Sequence, residues 1–144
     1  PLKGNVIPRE EIPDETFASG VLGDGVGIEP EIGEVVAPFD GEISSVTDTH
    51  HAIGITGSGE MEVLIHVGID TVNLEGKYFE ALVKTGDKVQ VGTPVLKANL
   101  EEIKKAGYEI VTPVIITNSA DYKDVITGEE GNMERTKSMI KISC

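Results

Sequence analysis

Apolar positions along this chain fall in short runs, many alternating with polar residues, and glycine or proline interrupts them at regular intervals. A period of two marks a strand with one buried face. Ten strands are predicted: Gly4–Ile7, Val26–Glu29, Glu34–Ala37, Gly41–Val46, Ala52–Thr56, Met61–Val67, Phe79–Val83, Val95–Asn99, Val111–Ile116 and Ser138–Ile142. Their spacing suits a sandwich or barrel, not alternating strand and helix. One helix is predicted, with Asn99 as cap, Glu102 three residues on, Lys104 and Lys105 in its last turn and Gly107 as its stop. Single helical turns are expected at Pro13–Ala18 and Ser119–Lys123.

Composition strengthens that picture. There are 16 Val and 16 Ile against 7 Leu, with 17 Gly and 7 Pro, which favours pleated surfaces and frequent turns. With 3 Phe, 3 Tyr and no Trp, the core must be built from branched aliphatics. The fold class is therefore all-β, an antiparallel β-sandwich or barrel with a few short helices. At 144 residues the chain reads as one domain over 1–144, large enough to bury a core without staples. It begins at Pro1 rather than Met, as expected of a processed protein or a domain cut from a longer one.

A formal charge of −13 argues against nucleic acid or an anionic membrane as partner, since either requires a basic patch. No apolar run approaches the roughly 18 residues of a membrane span, so direct membrane insertion is not expected. The single cysteine, Cys144, is the last residue and cannot form an internal disulfide. A cytoplasmic location is the simplest expectation. Gly23-Asp24-Gly25-Val26-Gly27 reads as a turn, because it leads into a strand and not a helix. There is no Walker sequence and no kinase glycine-rich loop, so no nucleotide is expected. Pro1–Val6 and Pro38–Ile43 echo each other weakly, and Gly86–Val95 looks like a structural corner of a barrel domain.

The candidate chemistry lies in two of the three histidines. His66 sits inside Val63–Val72, a stretch that otherwise wants burial, and His51 precedes Ala52-Ile53-Gly54-Ile55. Burying an imidazole is costly unless it is hydrogen-bonded, yet this ring is the side chain best placed to exchange a proton or electrophile near neutral pH. In an extended strand Val63, Ile65, Val67 and Ile69 line one face, and Leu64, His66, Gly68 and Asp70 the other. Gly68 then leaves room for an approach to the ring. By the same alternation His51 shares a face with Ile53 and Ile55, and His50 points away. If the two segments pair with Thr56–Glu60 as their turn, the rings come close.

Three chemistries compete there. A hydrolytic zinc site needs three protein ligands, and Asp70 lies about 13 Å from His66 in a fully extended chain. General acid–base hydrolysis needs a nucleophile, and no Gly-x-Ser-x-Gly elbow occurs. Histidine as phosphoryl nucleophile needs one accessible ring nitrogen, the other tied to an acceptor, and a nearby donor for the phosphoryl oxygens. His51 can be that donor. Without a nucleotide site, the phosphate must come from another protein or a small molecule.

These residues resemble the glucose-type enzyme IIA domain of the bacterial phosphoenolpyruvate-dependent sugar phosphotransferase system. The likeness is carried by Pro1-Leu2-Lys3-Gly4, Ile12-Pro13-Asp14-Glu15-Thr16-Phe17-Ala18, Gly23-Asp24-Gly25-Val26-Gly27-Ile28, Val36-Ala37-Pro38-Phe39-Asp40-Gly41, His51-Ala52-Ile53-Gly54-Ile55 and Leu64-Ile65-His66-Val67-Gly68-Ile69-Asp70-Thr71-Val72. The resemblance implies a β-sandwich or barrel of the duplicated hybrid motif type, with a shallow site on one sheet. It implies that His66 is the phosphoacceptor, modified at Nε2, that His51 hydrogen-bonds the phosphoryl group, and that the Thr49 hydroxyl orients His51. Asp14 and Asp70 match rim carboxylates that meet an arginine of the phosphocarrier protein HPr, and Leu64 and Gly68 join the partner-binding surface. Phosphate would pass from HPr to His66 and then to a cysteine of enzyme IIB, which works with membrane-bound enzyme IIC. No cofactor or metal is implied.

The resemblance has departures. Asn132-Met133-Glu134-Arg135-Thr136 stands where the family usually has a glycine-containing turn, and His50 replaces a Lys or Asn. Gly76-Lys77-Tyr78-Phe79 resembles β-glucoside-type chains, in which IIA is fused to IIB and IIC; the domain is thus either free-standing or tethered at the membrane. Two other readings stay open: a phosphorylation-dependent regulatory binding module, and a zinc protein in which a partner's carboxylate joins His51 and His66.

Overall fold

The computed structural model describes residues 4–20, 22–57, 61–117, 124–127, 131–133 and 140–143. Thirteen strands are present among them: β1 Gly4–Pro8, β2 Asp24–Pro30, β3 Glu34–Val36, β4 Gly41–Val46, β5 Ala52–Gly57, β6 Glu62–His66, β7 Phe79–Ala81, β8 Lys88–Val89, β9 Pro94–Ala98, β10 Thr112–Ile116, β11 Asp124–Thr127, β12 Gly131–Met133 and β13 Ile140–Ser143. They form an eight-stranded sheet in the order β12-β1-β2-β10-β6-β5-β4-β8, a three-stranded sheet β3-β9-β7 and a pair β11-β13. Every pairing is antiparallel.

All ten predicted strands are present, and Gly41–Val46 has the predicted bounds. Three strands went unpredicted, β8, β11 and β12, being short or poor in alternation. The turn expected over Gly23–Gly27 is instead strand from Asp24 onward. The single turn expected at Ser119–Lys123 lies outside the described residues, as does most of the departure at Asn132–Thr136, of which Asn132 and Met133 belong to β12.

The helix α1, Glu15–Ala18, starts at Asp14, whose carboxylate accepts the Thr16 amide (2.8 Å). The helix α2, Leu100–Lys105, starts at Asn99, whose side-chain oxygen accepts the Glu102 amide (3.3 Å). Each cap satisfies an amide that the helix itself leaves unpaired. Ile103 is the apolar residue of α2 that turns fully into the core. Two 3-10 turns, Arg9–Glu11 and Thr71–Leu74, are also present among the described residues.

The large sheet carries a buried apolar cluster on each face, while Glu42, Ser44, Ser45 and Glu62 stay exposed. One register row joins Val26, Val114, Ile65 and Ile53 across four strands. Its side chains belong to the main core, with Ile28, Ile43, Ile55, Val63, Leu96 and Ile116. The opposite face carries a smaller cluster of Ile12, Phe17, Ile69, Val111 and Ile115, with Ile7 packed against it. The segment before α1 roofs this second face. It can sit close because Gly27 offers no side chain there: a Cβ would lie 2.9 Å from Ile12 Cγ1 and 3.0 Å from Ile7 Cγ1.

Candidate functional site

His66 ends β6, on the face of the smaller cluster. The expected hairpin forms: β5 pairs with β6, placing Ala52 opposite His66 and Ile53 opposite Ile65. Strict alternation would then carry His51 to the main-core face, away from His66. The structure corrects that expectation. The two rings touch, with centroids 4.7 Å apart and planes at 80°. His51 precedes the first residue of β5, and His50 before it has a φ of +56°, in the left-handed region. That twist breaks the period of two where the ring must change sides. The His51 backbone still joins the ladder, its carbonyl accepting the Val67 amide (2.8 Å).

The extended strand expected through Asp70 also ends early. Gly68 has a φ of +78° and Asp70 of +59°, so the chain curls after Val67 into the 3-10 turn that Asp70 caps. Val67 therefore packs in the main core while Ile69 packs in the smaller cluster, contrary to one shared face. Gly68 does not leave open space beside the ring. It is buried, and a Cβ there would meet Thr71 Cγ2 at 2.6 Å and the Glu109 carbonyl at 2.8 Å. Glycine is required for the backbone's left-handed turn and for this close approach.

That turn aims the Gly68 carbonyl at the histidine, where it lies 2.8 Å from His66 Nδ1. A carbonyl only accepts, so Nδ1 carries the proton and Nε2 keeps its lone pair. On the neighbouring ring, His51 Nδ1 lies 2.5 Å from the Thr49 hydroxyl and 3.3 Å from that of Thr47. Thr47 also closes the loop behind His51, donating to the Ala52 carbonyl and accepting its amide, both at 3.2 Å. His51 is buried, His66 half-buried.

Burial disfavours the charged imidazole, and the nearness of His66 adds to this, lowering the His51 pKa from 6.5 to about 4. His66 is lowered too, by burial, while the Gly68 carbonyl and the Asp14 and Asp70 carboxylates pull the other way. Both rings are thus neutral near pH 7. An exposed Asp70 and half-buried Asp14 stand on the rim, close enough for their charge to reach the ring.

Phe17 is the contact the sequence reading missed. Its ring centroid is 5.2 Å from that of His66, at 54°. Val72 is 48% exposed and Leu22 40% exposed, and Leu64 is half-buried on the histidine's face. Among the described residues no three His, Cys, Asp or Glu side chains converge as a metal ligand set, and no helix is long and apolar enough to cross a membrane.

Comparison with known proteins identifies a family and a similar structure. Residues 1–122 match the family model for the phosphoenolpyruvate-dependent sugar phosphotransferase system, EIIA 1. The chain is 46% identical over 143 residues to a β-glucoside-specific EIIBCA component of Bacillus subtilis (strain 168), covering 99% of this chain and 24% of that protein. It is 45% identical over 144 residues to the corresponding component of Dickeya chrysanthemi, covering 100% of this chain and 23% of that protein. The chain thus spans about a quarter of the length of these curated relatives. Glucose permease IIA from Mycoplasma capricolum has a similar structure, with a TM-score of 0.89 and 30% identity over 97% of this chain and 90% of that one.

Proposed function

The chain belongs to the EIIA 1 family of the phosphoenolpyruvate-dependent sugar phosphotransferase system, and from that membership we propose that His66 carries the phosphoryl group on Nε2. Enzyme IIA domains of this family are phosphotransferase components that carry phosphate from HPr to enzyme IIB. The observation that carries the assignment to His66 is its proton placement: Nδ1–H is held by the Gly68 carbonyl and Nε2 is free to attack.

In the first transfer the Nε2 lone pair forms a bond to phosphorus as the bond from phosphorus to the donor nitrogen of HPr breaks. The electron pair of that bond stays with the donor. The proton on His66 Nδ1 remains in place, so the phosphorylated ring acquires imidazolium character. The Gly68 carbonyl and the carboxylates of Asp14 and Asp70 stabilise that positive charge. His51 turns Nε2–H toward a phosphoryl oxygen, which requires its Nδ1 to accept from the Thr49 hydroxyl. In the second transfer a cysteine thiolate of enzyme IIB attacks phosphorus, and the N–P electron pair returns to His66 Nε2.

Asp14 and Asp70 receive a basic side chain of HPr, while Leu64 and Val72 give the docked partner an apolar surface that keeps water from a hydrolysable bond, with Phe17 packed against the His66 ring. Gly68 serves the same site through its carbonyl. Both curated relatives are β-glucoside-specific EIIBCA components, which supports reading the chain as the IIA segment of a β-glucoside-type permease that works tethered to IIB and IIC.

The test is incubation with phosphoenolpyruvate, enzyme I and HPr, followed by mass mapping. His66 gains about 80 Da as one phosphate, and His66→Gln abolishes the gain. His51→Gln still accepts phosphate but transfers it poorly to IIB. A wild-type chain without added mass, as a pure binding module would give, or phosphate on another residue, defeats the assignment.

A further inference from the structure

Thr71 is one of three buried polar side chains among the described residues. The other two are accounted for: His51 is in the site, and the Thr112 hydroxyl bonds to the Ile110 carbonyl (3.0 Å). Thr71 is fully buried, and its hydroxyl donates to the Val67 carbonyl at 2.5 Å. This bond closes a five-residue ring of chain, from Val67 to Thr71, that contains both Gly68 and Asp70. Its methyl group fills the space where a Gly68 side chain would stand, with the Glu109 carbonyl on the other side. The Glu109 carbonyl in turn accepts the Ile69 amide (3.0 Å). The Val67 and Ile69 amides and the Val67, Gly68 and Asp70 carbonyls are thus all hydrogen-bonded between His66 and Thr71.

We propose that Thr71 is a positioning residue for phosphoryl transfer: its hydroxyl and methyl hold the Val67–Thr71 turn so that the Gly68 carbonyl keeps the His66 proton on Nδ1. The proposal rests on His66 being the phosphoacceptor. Neutral imidazole carries its proton on either nitrogen, and only the Nδ1–H form leaves Nε2 able to attack. Without a fixed acceptor at Nδ1, part of the population carries the proton on Nε2 and cannot react there. In that form Nδ1 has the lone pair and becomes the competing nucleophile. Thr71 therefore governs which nitrogen of His66 is phosphorylated, without touching substrate. The same turn holds the Asp70 carboxylate near the ring, so its loosening also weakens a charge that favours the imidazolium form.

Thr71→Val removes the hydroxyl at nearly constant volume, and Thr71→Ser restores it. Three readings distinguish a positioning role from a merely structural one: the imidazole ¹⁵N shifts of His66 in the unphosphorylated protein, the ³¹P signature of the phosphohistidine isomer, and the initial rate of phosphate uptake from HPr. In T71V the ¹⁵N shifts are expected to move toward a mixture of tautomers, with Nδ1-phosphohistidine present beside the Nε2 isomer. The rate is expected to fall about tenfold, the scale of one lost hydrogen bond in a reacting geometry. T71S should return all three readings toward wild type. Should T71V fail to fold, Thr71→Ala, which leaves space instead of an apolar branch against the Val67 carbonyl, replaces it. A folded hydroxyl-free variant with wild-type tautomer, isomer and rate overturns the proposal, even if its thermal stability has dropped. A wild-type chain that takes no phosphate on His66 overturns the phosphoacceptor assignment instead, while the ¹⁵N measurement still decides the role of Thr71.

Discussion

The two faces of the large sheet are built to different ends from the same strands. On one, Ile53, Ile55, Val63 and Ile65 join a sealed aliphatic core that includes the three-stranded sheet and α2. On the other, Ile12 and Phe17 of the segment 9–18 pack with Ile69, Val111 and Ile115 in a small cluster that stops at His66. The buried residues of the main core are aliphatic apart from Phe79, whereas the smaller cluster ends in two neutral imidazoles and a carboxylate rim. The difference shows how a β-domain can hold a pair of imidazoles at its edge without unfolding around them. The first face supplies the stability, and the second only has to fix the rings.

That division can be broken by substitution. Ile65→Ala, at a fully buried site in the main core, should cost about 3–4 kcal/mol of stability. Denaturant unfolding should show it, with phosphate uptake per folded molecule unchanged. Phe17→Ala should cost less, about 2 kcal/mol, because its cluster is small and lies at an edge, and should slow phosphate uptake by His66. Equal losses of stability with no kinetic effect from Phe17→Ala would erase the distinction between the faces.

Acid sharpens the same contrast, because only the second face titrates near neutrality. His51 is held at a pKa of about 4, against 6.5 for a free ring, and His66 is lowered in the same direction. A depressed histidine pKa means that the unfolded chain binds the proton more readily than the folded one. Its contribution to stability is therefore complete above pH 6.5 and is lost as pH falls toward 4, by at most about 3 kcal/mol for His51. His51→Gln should flatten the fall of stability between pH 6.5 and 4; an unchanged slope would show that this ring is not the titrating group.

The smallest effect is expected at the rim. Asp14→Asn and Asp70→Asn should each raise the KM for HPr about twofold, with the increase vanishing in high salt, as for solvent-screened charges. Each should also lower the His66 pKa, since both carboxylates favour its charged form. A salt-independent loss would place these carboxylates in the chemistry rather than in docking.

Much of the fold was legible in the residues. Alternation located ten of the strands, and the Asn99, Glu102 and Gly107 pattern located α2 with its cap, because these signals depend on neighbours a few residues apart. The glycine-dense run at Gly23–Gly27 was misread as a turn. Its reason is tertiary: Gly27 makes room for Ile12 and Ile7 against the second face. The site was legible in part. The spacing of His51 and His66, with the hairpin between them, brought the two rings together as expected, yet alternation alone assigned them to opposite faces.

The sequence by itself determined an all-β chain, a β5–β6 hairpin and a family likeness that singled out His66, His51 and Thr49. Only the tertiary structure decided which way the rings face, how the turn after Val67 curls, and that Phe17 and Thr71 belong to the neighbourhood of His66. The physical reason is that a repeating pattern specifies side-chain direction only while the backbone stays regular. At His50, Gly68 and Asp70 the chain enters left-handed conformations, and what holds it there comes from residues such as Thr71 and Glu109 that no local pattern connects to the histidine.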